Sequence, residues 1–184
     1  SLEAGERTGL PIMVDFGYFV KERPYWRLVS EKLRPGDIST HCFRGPVPVT
    51  DENGKVCPYL REARKRGVLF DLGHGGGSFL FRNAVPAIEQ GFYPDAISSD
   101  LHVLSMNGAM MDMATTMSKC LMLGMPLREV IDWFKDRLVA EGYQFAGWDG
   151  TTFKSAKGEA PAPEKVAIST GYANSWAVVI GIDD

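Results

Sequence analysis

Four short apolar runs punctuate the first half of the chain, and each is followed by glycine, histidine or aspartate. They are PIMVDFG at 11–17, GDISTHCF at 36–43, GVLFDLG at 67–73 and DAISSDLH at 95–102. Each has the length of a strand and is bounded by turn-forming residues, so each predicts a β-strand. Their starts lie 25, 31 and 28 residues apart, which leaves room for a helix between successive strands. Helices are predicted in those gaps and beyond them, over Tyr25 to Leu33, Tyr59 to Arg66, Asn83 to Gln90 and Met110 to Leu123. A fifth, PLREVIDWFKDRLVAEG, has Pro126 in its first turn and Gly142 as its stop, with Leu127, Val130, Ile131, Phe134 and Leu138 along one face.

Strands of buried character alternating with helices predict an α/β fold with a helix-covered parallel sheet, either doubly wound or part of a (β/α)8 barrel. Four units make half a barrel, and a whole one takes about 250 residues, more than the 184 present. The chain is therefore expected to form a partial barrel over residues 1–142, followed by a linker and an atypical tail over 143–184. The stretch YQFAGWDGTTFKSAKGEAPAPEK, rich in Gly, Ala, Pro and Lys, is read as loop. An open half barrel has two unpaired edges. Its inward face is assigned Ile12, Val14, Ile38, Leu69 and Ile97.

Composition narrows the partners. A net charge of -3 with a pI near 5.7 leaves no electrostatic footprint for nucleic acid or an anionic membrane. The basic cluster REARKRG, Arg61 to Gly67, is expected to be a solvated helix end. No apolar run approaches the roughly 18 residues of a membrane span, and no signal-peptide pattern opens the chain. The expectation is a cytoplasmic protein with a small-molecule substrate. Because the chain opens SLEAGERTGLP without methionine, an upstream portion is expected, and the open edges predict pairing with that N-terminal half or with a second copy. Cys42, Cys57 and Cys120 lack C-x-x-C spacing and are expected to be buried thiols. Met110, Met113, Met117 and Leu121 share a helix face and are assigned to core packing.

The stretch FDLGHGGGSFLF, Phe70 to Phe81, carries the densest candidate chemistry. As a phosphate loop it is a poor match, with Ser78 where the third small residue of a dinucleotide fingerprint belongs. As an oxyanion loop it needs a G-x-S-x-G elbow, which the chain lacks. In parallel α/β folds, active sites gather at the C-terminal ends of strands. Asp15, His41, His74 and Asp100 stand at those ends, with His102 two residues beyond Asp100. Imidazole and carboxylate together suit Zn²⁺, Mn²⁺ or Fe²⁺.

The motifs LPIMVDFG, LRPGDISTHCFRG, RGVLFDLGHGGGSF, DAISSDLH and TTMSKCLMLGMPLREVI together resemble the second half of a metal-dependent amidohydrolase of the dihydroorotase and deacetylase type, over about residues 9 to 132. The resemblance implies strands five to eight of a (β/α)8 barrel that hydrolyses an amide, ester or cyclic amide with a divalent metal, zinc first. By the same resemblance His41 and Asp100 are metal ligands, Asp100 is also the catalytic acid and base, and His74 and His102 face the substrate. Asp15 stands where the family usually carries a metal-binding histidine, and is taken as a third ligand. The H-x-H of strand one and the bridging acid or carboxylated lysine of strand four have no counterpart here, so the ligand set is expected to be incomplete and the isolated segment inactive. The rival expectations are a non-catalytic scaffold and a doubly wound nucleotide binder using Gly73 to Ser78.

Overall fold

The computed structural model describes residues 2–16, 21–108 and 110–130, together with the backbone of 145–148 and 153–155. The order is α1 (Leu2–Thr8), β1 (Met13–Val14), α2 (Tyr25–Arg27, continued by a π turn over Leu28–Lys32), β2 (Ile38–Ser39), α3 (Pro58–Lys65), β3 (Leu69–Phe70), α4 (Phe81–Glu89) and α5 (Met113–Met122). An antiparallel pair, β4 (Phe145–Trp148) and β5 (Phe153–Ser155), follows. Residues 127–130 open the fifth predicted helix, and the remainder of it lies outside the described residues.

β1, β2 and β3 form a parallel sheet in sequence order. The fourth predicted strand aligns parallel beside them, with an Asp71 to Ala96 bridge and amides of Leu72 and His74 donating to the carbonyls of Ala96 and Ser98. The α/β class with helices between parallel strands thus holds. The ladders are shorter than predicted because pairing is regular over two residues per strand before the chain turns away into the loops.

Register decides the faces, since partners across a parallel ladder share one side of the sheet. Met13, Ile38 and Leu69 are partners, and so are Val14, Ser39 and Phe70. The second row faces the helices: Tyr25 of α2 pairs its hydroxyl with Ser39 at 2.8 Å, and Phe70 meets Phe92 edge to face at 5.3 Å. Assigning Ile12, Val14 and Ile97 to the inward face was therefore one residue out of phase: Met13 takes that place on β1 and Ala96, the bridge partner of Asp71, takes it on the fourth strand, while Ile38 and Leu69 face inward as expected. Uncovered on the outer strand, Met13 is 49 % exposed, whereas Ile38 beside it is 8 % exposed.

The core lies between sheet and helices, where Val29, Phe43, Leu60, Ala63, Val68, Phe70, Leu72, Ala84, Ala87 and Phe92 are buried. All three cysteines are free and buried, as expected. Burial pushes the Cys120 thiol up to about 11, so it is no nucleophile at neutral pH. The basic helix end is solvated as expected, with Arg61, Lys65 and Arg66 exposed and Arg64 half-buried, and its arginines also make specific contacts. Arg64 lies 4.2 Å from the centre of the Phe92 ring and pairs with Asp95. Arg61 and Arg66 donate to the carbonyls of Gln90 and Val29. These contacts tie α3 to its neighbours. Helix α5 begins at Met113 because the Asp112 side chain caps it, accepting from the Thr115 amide at 2.6 Å. Met113 and Met117 pack against the core, while Leu121 is 37 % exposed. The β4–β5 pair also corrects the reading of that stretch as loop. Phe145, Trp148 and Phe153 are strong strand formers flanking an Asp-Gly turn signal.

Candidate active site

The loop Gly73 to Gly77, just beyond β3, is the hub of the site. Gly73 and Gly75 have φ of +50° and +48°, a region that side chains strain to adopt. A Cβ on Gly73 would lie 2.4 Å from His41 Nδ1, and one on Gly75 would lie 2.4 Å from Asp100 Oδ2. The imidazole and the carboxylate fill the spaces that the two glycines leave empty. His41 and Asp100 are themselves left-handed, with φ of 57° and 49°, and Met111 is the only other such non-glycine among the described residues. Strained backbone of this kind clusters at functional sites.

The hydrogen bond of His41 sets its chemistry. Its Nδ1 lies 2.7 Å from the Gly73 carbonyl, which can only accept, so the proton sits on Nδ1 and Nε2 presents its lone pair. Metal-binding histidines carry this second hydrogen bond. Nε2 lies 3.8 Å from Asp15 Oδ2, while the other Asp15 oxygen pairs with Arg44 at 3.1 Å. Asp15 and Asp100 are exposed and His41 is part-buried. Among the described residues no group of three His, Cys, Asp or Glu gathers within reach of one ion. His41 and Asp100 thus meet at one loop, while Asp15 faces His41 and Arg44.

His74 and His102 both bond to the loops around the site. His74 is 4 % exposed and stacks on Phe79 with ring centres 4.8 Å apart. Its Nδ1 bonds the Gly75 carbonyl at 2.8 Å, which leaves Nε2 to accept from Lys119 Nζ at 2.9 Å. Exposed His102 folds back on its own loop, with Nδ1 2.9 Å from the Asp100 carbonyl and 3.1 Å from Ser105 Oγ.

Burial, then the Lys119 charge, lower the His74 pKa against the opposing pull of the Gly75 carbonyl, and burial lowers that of Lys119. A depressed histidine is neutral in the fold while the unfolded chain still protonates near 6.5, so stability contributed above that pH is lost as pH falls through the lower folded value. Urea denaturation at pH 7.5 and pH 5 should show this loss in the parent and a smaller one in His74→Gln.

Sequence reasoning missed Thr40, Asp71, Ser98 and Lys119. Asp71 is 3 % exposed, and its Oδ2 accepts from Thr40 Oγ1 at 2.6 Å and from Ser98 Oγ at 2.8 Å. Burial raises its pKa, opposed by those two hydroxyls. The available signal was a carboxylate inside the apolar run VLFDL, a position that demands buried partners. Lys119, 45 residues from His74, carried no comparable signal.

No protein-family model matches the chain. It is 42 % identical over 125 residues to a deacetylase of Brucella anthropi, covering 67 % of this chain and 30 % of that protein. A solved dihydroorotase is 38 % identical with a TM-score of 0.61, over 71 % of this chain and 34 % of its own. An adenine deaminase structure is 32 % identical with a TM-score of 0.61, over 69 % of this chain and 34 % of its own. The chain spans about a third of the length of the relatives it matches.

Proposed function

The chain belongs to the amidohydrolase superfamily over about 70 % of its length, and from that premise we propose that it supplies the strand-five-to-eight side of a metal-dependent active site that hydrolyses an amide, ester or cyclic amide. The observation that carries this reading is the seating of His41 and Asp100, both in left-handed backbone, against Gly73 and Gly75 of one loop.

The residues fit a divalent ion in part. His41 has the tautomer of a ligand, and Asp100 offers an exposed carboxylate. Two donors fall short of the three protein ligands of a typical catalytic zinc site, so further donors are needed from Asp15 or from beyond the described residues. When bound, the ion would lower the pKa of a water and polarise the scissile carbonyl. Asp100 would take the water's proton on a carboxylate oxygen and return it to the leaving nitrogen or oxygen. His41 would hold its lone pair on the ion, kept in place by the Gly73 carbonyl.

The nucleotide-binding rival loses ground on topology. A doubly wound fold holds its ligand where strand order reverses, and among the described residues the three strands and the Ala96 to Ser98 segment beside β3 run in sequence order without a reversal. Zinc or another divalent metal near stoichiometry in the purified full-length protein, with turnover of at least one N-acyl, ester or cyclic-amide substrate that chelation abolishes, is the expected result. No metal and no turnover across all three classes would leave the non-catalytic scaffold, and retained nucleotide would favour the third reading.

A further inference from the structure

Behind His41 runs a chain of hydrogen bonds that the hydrolytic reading does not use. Asp71 Oδ2 accepts from Thr40 Oγ1 and Ser98 Oγ. Ser98 Oγ, its one proton committed to Asp71, accepts from the Gly73 amide at 3.1 Å. The carbonyl of Gly73 then accepts from His41 Nδ1 at 2.7 Å. Each link has one direction, because carboxylate and carbonyl oxygens accept while a hydroxyl has a single proton to give.

Both peptides that flank the Gly73 Cα are engaged, the first through the Gly73 N–H on Ser98 Oγ and the second through the Gly73 carbonyl on His41 and the His74 N–H on the Ser98 carbonyl. A Cβ on Gly73 would lie 2.6 Å from Thr40 Oγ1 as well as against His41, so the loop is packed onto the network with no room for a side chain. Asp71 and Thr40 are buried, at 3 % and 8 % exposure. They sit on adjacent strands, one residue beyond the partners Ser39 and Phe70. A buried carboxylate costs free energy unless its bonds are made, and nothing in the packing of the core requires one at this position. Its geometry is that of a support for the loop.

We propose that Asp71 and Ser98 are positioning residues for His41. They hold Gly73 from its N–H side, while the His74 amide bonded to the Ser98 carbonyl holds the next peptide, so that the Gly73 carbonyl selects the Nδ1–H tautomer of His41 and aims Nε2 outward. The inference rests on the reading of His41 as a metal ligand, yet its central claim concerns the imidazole alone. Without the Ser98 hydroxyl the Gly73 amide loses its partner, Gly73 is held only through the His74 amide on the Ser98 carbonyl, and the tautomer of His41 is less firmly imposed, because the bond made by one ring nitrogen determines which nitrogen carries the proton.

The test uses the full-length protein with histidines labelled with ¹⁵N and metal removed, reading the His41 tautomer from long-range ¹H–¹⁵N spectra assigned with His41→Gln. The parent should show Nδ1–H. Ser98→Ala and Asp71→Ala should shift His41 towards the Nε2–H form, and Ser98→Thr, which keeps the hydroxyl, should restore it. Titration with Zn²⁺ should show affinity weakened about 10- to 100-fold in Ser98→Ala and recovered in Ser98→Thr. If an alanine variant does not fold, Ser98→Cys, of similar size but a weak acceptor, decides the question in its place. A parent in the Nε2–H form, or folded variants with the parent's tautomer, overturns the proposal. Turnover is measured separately, so failure here leaves the hydrolytic reading standing, and loss of turnover in the parent leaves the tautomer result interpretable.

Discussion

Asp100→Asn in the full-length protein is expected to lower kcat at least about 10²-fold, the scale of a lost general acid and base. The fold should survive for two reasons. The carboxylate is exposed and stands outside the core. The backbone at this position has a φ of 49°, which asparagine tolerates as readily as aspartate. Asparagine also keeps the shape that fills the space beside Gly75. What it lacks is a group able to carry a proton away from water. If the proton transfer acts in the transition state alone, kcat and kcat/KM should fall together while KM stays put. Steady-state kinetics on whichever amide, ester or cyclic amide is turned over, with circular dichroism as the fold control, decides this. Turnover equal to the parent's would remove Asp100 from the acid-base role.

The second large effect is on stability. Arg34→Ala should destabilise the fold by about 2–3 kcal/mol, measured by urea denaturation. Asp37 is 0 % exposed, and both of its oxygens are taken by the Arg34 guanidinium, at 3.0 Å from Nε and 3.0 Å from NH2. The amides of Ile12 and Arg34 also donate to it, so one carboxylate joins the chain entering β1 to the turn before β2. Removing the guanidinium leaves a buried charge with only backbone donors, which for a fully buried pair costs about 3–5 kcal/mol. The Arg34 side chain is 31 % exposed, and water partly replaces it, hence the lower figure. Arg27→Ala, which breaks an exposed pair with Glu31, should cost under about 0.5 kcal/mol. The same network predicts acid sensitivity. Burial alone would raise the Asp37 pKa, but Arg34 and the two amides outweigh it and hold it below the usual carboxylate range. A depressed carboxyl contributes stability present above its unfolded value and lost as pH falls through the folded one. Stability should therefore drop below about pH 4 in the parent, and less steeply in Arg34→Ala.

Local pattern carried much of this protein. Strand positions, the βα alternation, the buried cysteines and the helix spans were legible because each rests on a short apolar run and its flanking turn residues. The placement of Asp15, His41, His74 and Asp100 beyond strand ends followed from the same runs. The pattern was blind to facing and to partnership. Val14 and Met13 differ by one position, and only the ladder with Ile38 and Ser39 assigns their sides. Nor does the pattern show that His74 stacks on Phe79 and accepts from Lys119. The basic cluster at the end of α3 is exposed as its charge suggests, but the pattern gave no sign that three of its arginines also tie elements together. The bonds that shape the site join residues distant in sequence: 27 positions for Ser98 to Asp71, 31 for Thr40 to Asp71, 32 for His41 to Gly73. Hydropathy reports whether a position prefers to be buried, and so the sequence alone determined which segments would form the sheet and which residues would end its strands. It holds no record of which hydroxyl meets which carboxylate, because that depends on register and on where the chain returns. Only the tertiary structure brought His41 and Asp100 onto successive glycines of one loop and put Asp71 behind them.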